Sequence, residues 1–501
     1  MSDAIHPPCP TPFNLAQYVL DAGRATPDKS ALEVLGSDPQ TWSYTQLTNA
    51  VRGVATGLLN AGFKPQDMVM LRLGNTPDFP IAYLGLIAAG MVAVPTSAAL
   101  TSSEITKMAA QIAPAAILQD VKVSAPTSKA RSITLEDLQA MYTLPPALWH
   151  MGDPERPAYV VFTSGTSAAP RAVQHAHRAI WARKMMHCDW YDLRAEDRLL
   201  HAGAFNWTFT LGTGLMDPWS VGATALIPQD GTQPEALPAL LAQKNATLFA
   251  AAPGIFRKLV RKEMPVMPKL RHALSAGEKM VETLHAEWQR ATGSQVYEAF
   301  GMSECSTFIS SSPTRPAPTN TLGRTQNGRR IAVIRDNGTE AATGDLGTIA
   351  VHHSDPGLML GYLNAPDETE ARFQGDWFMT GDLGRCDTNG AISYEGRSDD
   401  MLNAGGFRVS PLEIEAAFAE IGGLIQCAAI ETTVKSGAQV IALCYTAQDT
   451  VHKSAFEALA STQLARYKQP RIYHRCDTLP SSANGKLLRR VLRAQIEALY
   501  G

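Results

Sequence analysis

The chain has 501 residues, 45% hydrophobic and 18% charged, with a formal net charge of −3. That length buries large cores and suits two or more domains, and the ordinary composition excludes a disordered or fibrous chain. So small a net charge offers no global attraction for nucleic acid or an anionic membrane.

Seven cysteines (Cys9, Cys188, Cys305, Cys386, Cys427, Cys444, Cys476) form no C-x-x-C pair, which reads as free thiols in a reducing compartment with no zinc site. The stretch Met1 to Asn14 carries Pro7, Pro8, Pro10 and Pro12 and no long apolar core, so no secretion signal is expected. Leu47 to Ala61 has helical periodicity and leads through Gly62 into a strand-like run, Met68 to Leu73. The longest apolar run, Ile81 to Val94, is too short for a membrane span and is interrupted by Gly85 and Gly90. It is expected to be a buried helix (Phe79 to Ala89) entering a strand (Val92 to Pro95). The expected setting is cytoplasmic. The same alternation recurs at Ala115 to Leu118 and Thr247 to Ala250, which predicts a layered α/β architecture. From Gly328 the pattern changes to short β runs, Arg330 to Ile334 and Gly347 to His352, spaced by Gly and Asp/Asn turns. After Arg397 a compact segment holds a predicted helix (Pro411 to Ala419), two strands (Gln426 to Glu431, Val440 to Tyr445) and a basic C-terminal helix. The polar stretch Arg397-Ser398-Asp399-Asp400, bracketed by Gly396 and Gly405-Gly406, is the best boundary.

Four motifs carry chemistry. The run Thr163-Ser164-Gly165-Thr166-Ser167-Ala168-Ala169-Pro170-Arg171-Ala172-Val173 follows a β-like segment, Ala158 to Phe162, and precedes an expected helix from His175 to Arg183. Backbone N–H groups, short hydroxyls and one cation suit polyphosphate oxygens. No Gly-Lys-Ser/Thr closes the loop, so it is not a Walker A motif, and an ordinary Ser/Thr/Gly loop is the alternative. In Tyr297-Glu298-Ala299-Phe300-Gly301-Met302-Ser303-Glu304, Ser303 suits a phosphate oxygen and Glu304 a Mg²⁺ ion. A strand end with a solvated Glu is the plainer reading. Trp377-Phe378-Met379-Thr380-Gly381-Asp382, with Arg397 downstream, offers an acid and a base to a vicinal diol, or is plain turn chemistry. In Pro480-Ser481-Ser482-Ala483-Asn484-Gly485-Lys486-Leu487-Leu488-Arg489, an Asn-Gly turn presents Lys486 at a tip, as a surface lysine also would be.

In this order and at these separations, and with Ser275-Ala276-Gly277-Glu278, Gly361-Tyr362-Leu363-Asn364, Gly396 to Leu402 and Pro411 to Glu415, the chain resembles the adenylate-forming acyl-CoA synthetase superfamily from about Asn14 to Arg493. Its wording is closest to benzoate-type and medium-chain acyl-CoA ligases. The resemblance implies an α/β fold: a large N-terminal domain (1–398) of layered α/β subdomains plus a β-barrel-like subdomain, then a small mobile α+β domain (399–501). By resemblance, Thr163, Ser164, Gly165, Thr166, Ser167 and Arg171 hold the β- and γ-phosphates of ATP. Ser275, Ala276, Gly277 and Glu278, with Glu298, Ala299, Phe300 and Gly301, line the adenine pocket. Asp382 and Arg397 take the ribose, Ser303 and Glu304 the α-phosphate and Mg²⁺. Lys486 is the catalytic cation, Asp399 the hinge, and Gly405 and Gly406 line the coenzyme A tunnel. The implied reaction joins a carboxylic acid to AMP with loss of pyrophosphate, then transfers the acyl group to coenzyme A.

The phosphate loop departs from the family pattern, which has Gly, Lys and Gly where this chain has Ala168, Arg171 and Ala172. Arg keeps the charge but brings a planar fork. The run Phe205-Asn206-Trp207-Thr208 has Asn where amino-acid-activating relatives have Asp. Asn cannot neutralise a buried ammonium, so an α-amino acid is not expected. Phe205, Asn206, Trp207 and Met302 are the candidate acid pocket, some of them alternatively core. A bulky Trp favours an aromatic or short-to-medium-chain acid. An enzyme loading a carrier protein's phosphopantetheine arm and a non-catalytic nucleotide-binding protein are the competing readings. No nucleic acid partner and no membrane span are expected, and a homodimer is left open.

Overall fold

The computed structural model describes all residues except 1–6, 164–169, 399, 405–406, 420, 435–438, 482–486 and 501. The chain divides into two units, the first comprising 1–318, 322–330 and 351–376, the second 319–321, 331–350 and 377–501.

The first unit is built on two sheets. A seven-stranded sheet runs Gly361–Tyr362, Arg171–Ala176, Pro157–Thr163, Val92–Pro95, Met68–Arg72, Ala116–Gln119 and Arg131–Thr134. Its strands are parallel from Pro157–Thr163 onward, while Arg171–Ala176 and Gly361–Tyr362 add antiparallel. The helix Asp78–Ala88, which connects two of these strands, is apolar all round because every face of it is covered, Phe79 through Ala88 being buried. The second sheet contains the parallel strands Gln295–Met302, His272–Ala276, Leu248–Ala251, Arg198–His201, Thr224–Pro228 and Ser30–Leu35, side by side in that order. Antiparallel strands Ser306–Ser310 and Gln40–Ser43 flank them. The helix Tyr44–Asn60 starts where Ser43 and Gln46 form a reciprocal capping box. Glu282–Thr292 stops at Gly293, whose φ of 74° is left-handed. Trp288 of that helix stacks on Phe249 at 5.7 Å and meets Phe256 edge-on at 4.8 Å, joining helix to sheet in one apolar core.

One sequence expectation is corrected here. The segment from His175 to Arg183 is not one helix: Arg171–Ala176 is a strand, and only Ala179–Arg183 is helical. The strand pairs antiparallel with Pro157–Thr163 and buries Ala172, Val173, His175 and Ala176. Ladder hydrogen bonds and two-sided burial outweigh the helix propensity of an Ala-rich run, because propensity yields to tertiary context.

In the second unit, Ile331–Ile334, residues 347–350 of the next strand, Trp377–Cys386 and Ala391–Arg397 lie side by side. The Thr-Gly-Asp motif, for which a plain turn was one of two readings, sits inside the continuous Trp377–Cys386 strand, with Gly381 at φ 80°. After it come a hairpin (Leu402–Ala404, Phe407–Val409), the helix Pro411–Ala417, and a sheet of Leu424–Thr433, Gln439–Ala447 and Ile472–Arg475. Helix Lys453–Gln463 covers one face of that sheet through Phe456 against Tyr445 and Phe418. Helix Arg489–Tyr500 covers the other through Leu492 and Ile496. The fold class is α/β with a large N-terminal part and a smaller C-terminal one, as expected. Among the described residues no helix is long and apolar enough to cross a membrane.

Candidate active site

In the first unit, Thr163 and Arg171 are register partners across the Pro157–Thr163/Arg171–Ala176 hairpin. Between them the sequence runs from Ser164 to Pro170, of which Ser164, Gly165, Thr166, Ser167, Ala168 and Ala169 lie outside the described residues. Arg171 makes an ion pair with Glu368 at 2.8 Å and lies over the Tyr362 ring at 5.3 Å. Glu368 is more than half exposed, so this pair contributes at most about 1 kcal/mol and leaves the guanidinium easy to redirect.

Tyr362 sits on the strand that adds to this hairpin, Tyr362 opposite Val173. Its hydroxyl donates to Glu304 Oε1 at 2.8 Å, and burial first, then the adjacent Glu304 carboxylate, raise its pKa. Glu304 is buried, and its carbonyl accepts from Met359 N at 2.8 Å. The turn just after it is fixed by Arg329, which pairs with Asp355 at 2.9 Å and donates to the carbonyls of Thr307 (2.6 Å) and Cys305 (3.0 Å). Both members of that pair are fully buried. Removing one would strand the other's charge, which is why such a pair holds a backbone in place. His175 Nε2 bonds the Ser303 carbonyl at 2.7 Å. The loop's exit strand, Tyr362, Ser303 and Glu304 are therefore one hydrogen-bonded assembly.

Ser275 and Ala276 lie at the C-terminal end of their strand, opposite Glu298 and Ala299, where the parallel pairing of the two strands ends. Such strand ends are where open α/β sheets bind ligands. Both oxygens of Glu298 are engaged: one accepts from Met280 N at 2.6 Å, the other meets His285 at 3.1 Å. Glu298 thereby pins the loop carrying Gly277 and Glu278, and Glu278 pairs with Arg257 at 3.6 Å. Ser275 Oγ is buried with no protein partner among the described residues. Gly277 has φ 97°, and a Cβ there would stand 2.9 Å from the Trp207 indole. Only glycine permits both the left-handed turn and the indole laid over it. Gly301 is required for another reason: a Cβ would meet the Ser306 carbonyl at 2.1 Å, where the strand folds tightly back. Phe300 meets Phe308 edge-on at 5.5 Å.

Trp207 packs edge-on against Phe209 at 5.1 Å, and both join the core that holds Ala276 and Ala299. Phe205 is 1% exposed and packs on Phe79 at 5.8 Å, while its N–H is held by Asn75 Oδ1 at 2.9 Å. Asn206 and Met302 are half-buried.

In the second unit, Asp382 and Arg397 are register partners and their charged groups lie 3.5 Å apart. Tyr394 donates to Asp382 Oδ1 at 3.3 Å, and its own pKa is raised by burial and then by Asp382. Asp399, Gly405, Gly406 and Lys486 lie outside the described residues. Residue-level reading of the sequence had not singled out Tyr362, His285, Tyr394 or Arg329. Tyr362 stood within Gly361-Tyr362-Leu363-Asn364; the others had no local signal, since strand register and loop packing bring them to their partners.

A family model described as AMP-binding enzyme matches residues 20–363. The mitochondrial acyl-coenzyme A synthetase ACSM2 of Rattus norvegicus is 26% identical over 98% of this chain and 93% of its own. The benzoate–CoA ligase of Thauera aromatica is 27% identical over 91% of each chain. The ATP-bound crystal structure of MatB from Rhodopseudomonas palustris superposes with a TM-score of 0.89 at 22% identity, covering 98% of this chain and all of that one.

Proposed function

The chain belongs to the AMP-binding enzymes, the adenylate-forming acyl-CoA ligases, and from that premise we propose that it activates an aromatic or short-to-medium-chain aliphatic acid and transfers it to coenzyme A. A carboxylate oxygen attacks the α-phosphorus of ATP and pyrophosphate leaves; the thiolate of coenzyme A then attacks the acyl carbonyl and AMP leaves. The observation that carries the reading is the Tyr362–Glu304 hydrogen bond at 2.8 Å, which fixes a buried carboxylate beside the exit strand of the Thr163–Val173 loop. A buried oxygen donor next to a phosphate cradle suits a hard divalent cation. Glu304 would hold that Mg²⁺, which when bound offsets the negative charge of the phosphates.

In this reading the Thr163 loop with Arg171 carries the terminal phosphates and Ser303 meets the α-phosphate. Ser275 to Glu278 and Glu298 to Gly301 receive the adenine, Asp382 and Arg397 the ribose. Trp207, laid over Gly277, walls one end of the acid pocket, which supports a short or flat acid over a long acyl chain. Pyrophosphate release measured with benzoates, cinnamates and C2 to C12 acids, with and without coenzyme A, tests the proposal. Release by aromatic or C4 to C10 acids, with acyl-CoA formed when coenzyme A is present, is the expected result. Adenylation with no acyl-CoA, but acylation of a holo-carrier protein, would instead identify a carrier-loading enzyme.

A further inference from the structure

A small, partly enclosed cavity of about 20 Å³ lies among Tyr83, Tyr159, His175, Arg183, Thr208 and Ser303. That is room for one non-hydrogen atom of a polar group, the space a single water needs. Thr208 and Ser303, which line it, are the chain neighbours of Trp207 and Met302, two residues of the candidate acid pocket.

Two of its lining residues carry polar atoms with no protein partner among the described residues: Tyr83 Oη and His175 Nδ1. Both side chains are at most 2% exposed. Burying such atoms unpaired costs about 1–3 kcal/mol each, so the arrangement favours an occupant. The polarity of the pair follows from the surroundings. His175 is stacked on Tyr159 at 4.8 Å, and burial lowers its pKa to about 4, so the imidazole is neutral. Its Nε2 faces the Ser303 carbonyl at 2.7 Å; a carbonyl only accepts, so the ring proton is on Nε2 and Nδ1 is a bare acceptor. Tyr83 brings an O–H donor. The occupant must therefore donate to His175 and accept from Tyr83.

The charge of the cavity is also set. Arg183 pairs with Asp217 through Nε at 2.9 Å and Nη2 at 2.5 Å, and its Nη1 donates to Ser306. Gly212 makes room for this pair, since a Cβ there would stand 2.3 Å from the guanidinium. With its cation matched by Asp217, the cavity offers no unpaired positive charge to a second carboxylate.

We propose that this cavity is the specificity site for a hydroxyl substituent on the acid, held between Tyr83 Oη and His175 Nδ1. The proposal rests on the acyl-adenylation reading and names its substrate class: a hydroxylated carboxylic acid. A site with a paired donor and acceptor rejects an analogue lacking the hydroxyl, because both groups are then left unpaired.

The test is ATP-dependent pyrophosphate release with matched sets: benzoate against its 2-, 3- and 4-hydroxy forms, hexanoate against its hydroxy forms, and the dicarboxylates of equal length. At least one hydroxy acid should exceed its parent in kcat/KM by about tenfold or more. Tyr83→Phe and His175→Leu should each cut that ratio by about tenfold. The ratio is taken within one preparation, so a poorly folding variant moves both terms together. Turnover of parent acids with no hydroxy acid preferred, preference for a dicarboxylate, or a hydroxyl preference that both variants keep would overturn the assignment and leave adenylation standing. Release with none of the acids removes the adenylation reading, and this site with it.

Discussion

Glu304 is the side chain on which the proposed chemistry concentrates, and among the described residues its carboxylate is oriented by one donor, Tyr362. Glu304→Gln keeps the shape and removes the charge. It should lower the rate of pyrophosphate release by at least about 10²-fold, the scale of losing one preorganised charge-stabilising group, and raise the Mg²⁺ concentration needed for half-maximal rate. Tyr362→Phe keeps the ring under Arg171 and deletes only the hydroxyl. A loss of about tenfold is expected, matching the ~1.5 kcal/mol of a hydrogen bond to a charged group. A Tyr362→Phe rate equal to wild type would show that Glu304 needs no orientation. Glu304 stands out in the sequence from its place behind Phe300-Gly301, whereas its hydrogen bond to Tyr362 does not. The two are 58 residues apart, and nothing local in either segment announces the other.

At the scale of elements, Gly277 and Gly301 do different work, Gly301 letting its strand fold back close to the Ser306 carbonyl. Gly277 carries both a left-handed φ and the Trp207 indole. Gly277→Ala should cost about 1–2 kcal/mol for the backbone alone, plus repacking of the indole. Urea denaturation of Gly277→Ala, Trp207→Ala and the double variant separates the two terms. The double should recover only the packing part, so its stability stays below that of Trp207→Ala alone. Trp207→Ala should also shift the preferred acid toward longer chains in the pyrophosphate panel; an unchanged chain-length profile would remove Trp207 from the pocket wall. The alternating helices and strands of the first unit were readable from hydrophobic period, to within a residue or two at Met68–Arg72, Val92–Pro95 and Leu248–Ala251. The strand Arg171–Ala176 was not, because its pairing partner, and not its own pattern, decides its conformation.

At the scale of the molecule, five histidines of the first unit are held neutral by burial: His175, His187 and His272 at about 4, His177 and His201 at about 3. Each lies below the unfolded value of 6.5, so on acidification the unfolded chain takes up protons that the folded chain refuses. Stability is therefore full above pH ~6.5 and falls as pH drops toward 4, by up to about 1.4 kcal/mol per pH step for each histidine. Urea midpoints should decline steadily from pH 7 to pH 5; a midpoint independent of pH across that range would contradict the burial of these rings. The two-step reaction makes a second whole-molecule prediction. Lys486→Ala should slow adenylation by at least about 10²-fold while acyl-CoA formation from presynthesised acyl-AMP changes far less. Equal losses in both half-reactions would end the division of labour proposed for the C-terminal segment.

By itself the sequence determined the class of the fold, the order of its motifs and the family reaction. The fold class rests on hydrophobic period and turn residues, which are properties of the chain taken locally, and the family reaction on the resemblance that its ordered motifs carry. Tertiary structure alone decided that Glu298 spends both oxygens on Met280 and His285, and that Arg183 is matched by Asp217. It also left Tyr83 and His175 beside one small cavity. Whether a polar atom is paired or left over depends on which distant strand or loop is packed against it. That is fixed only when the layers close.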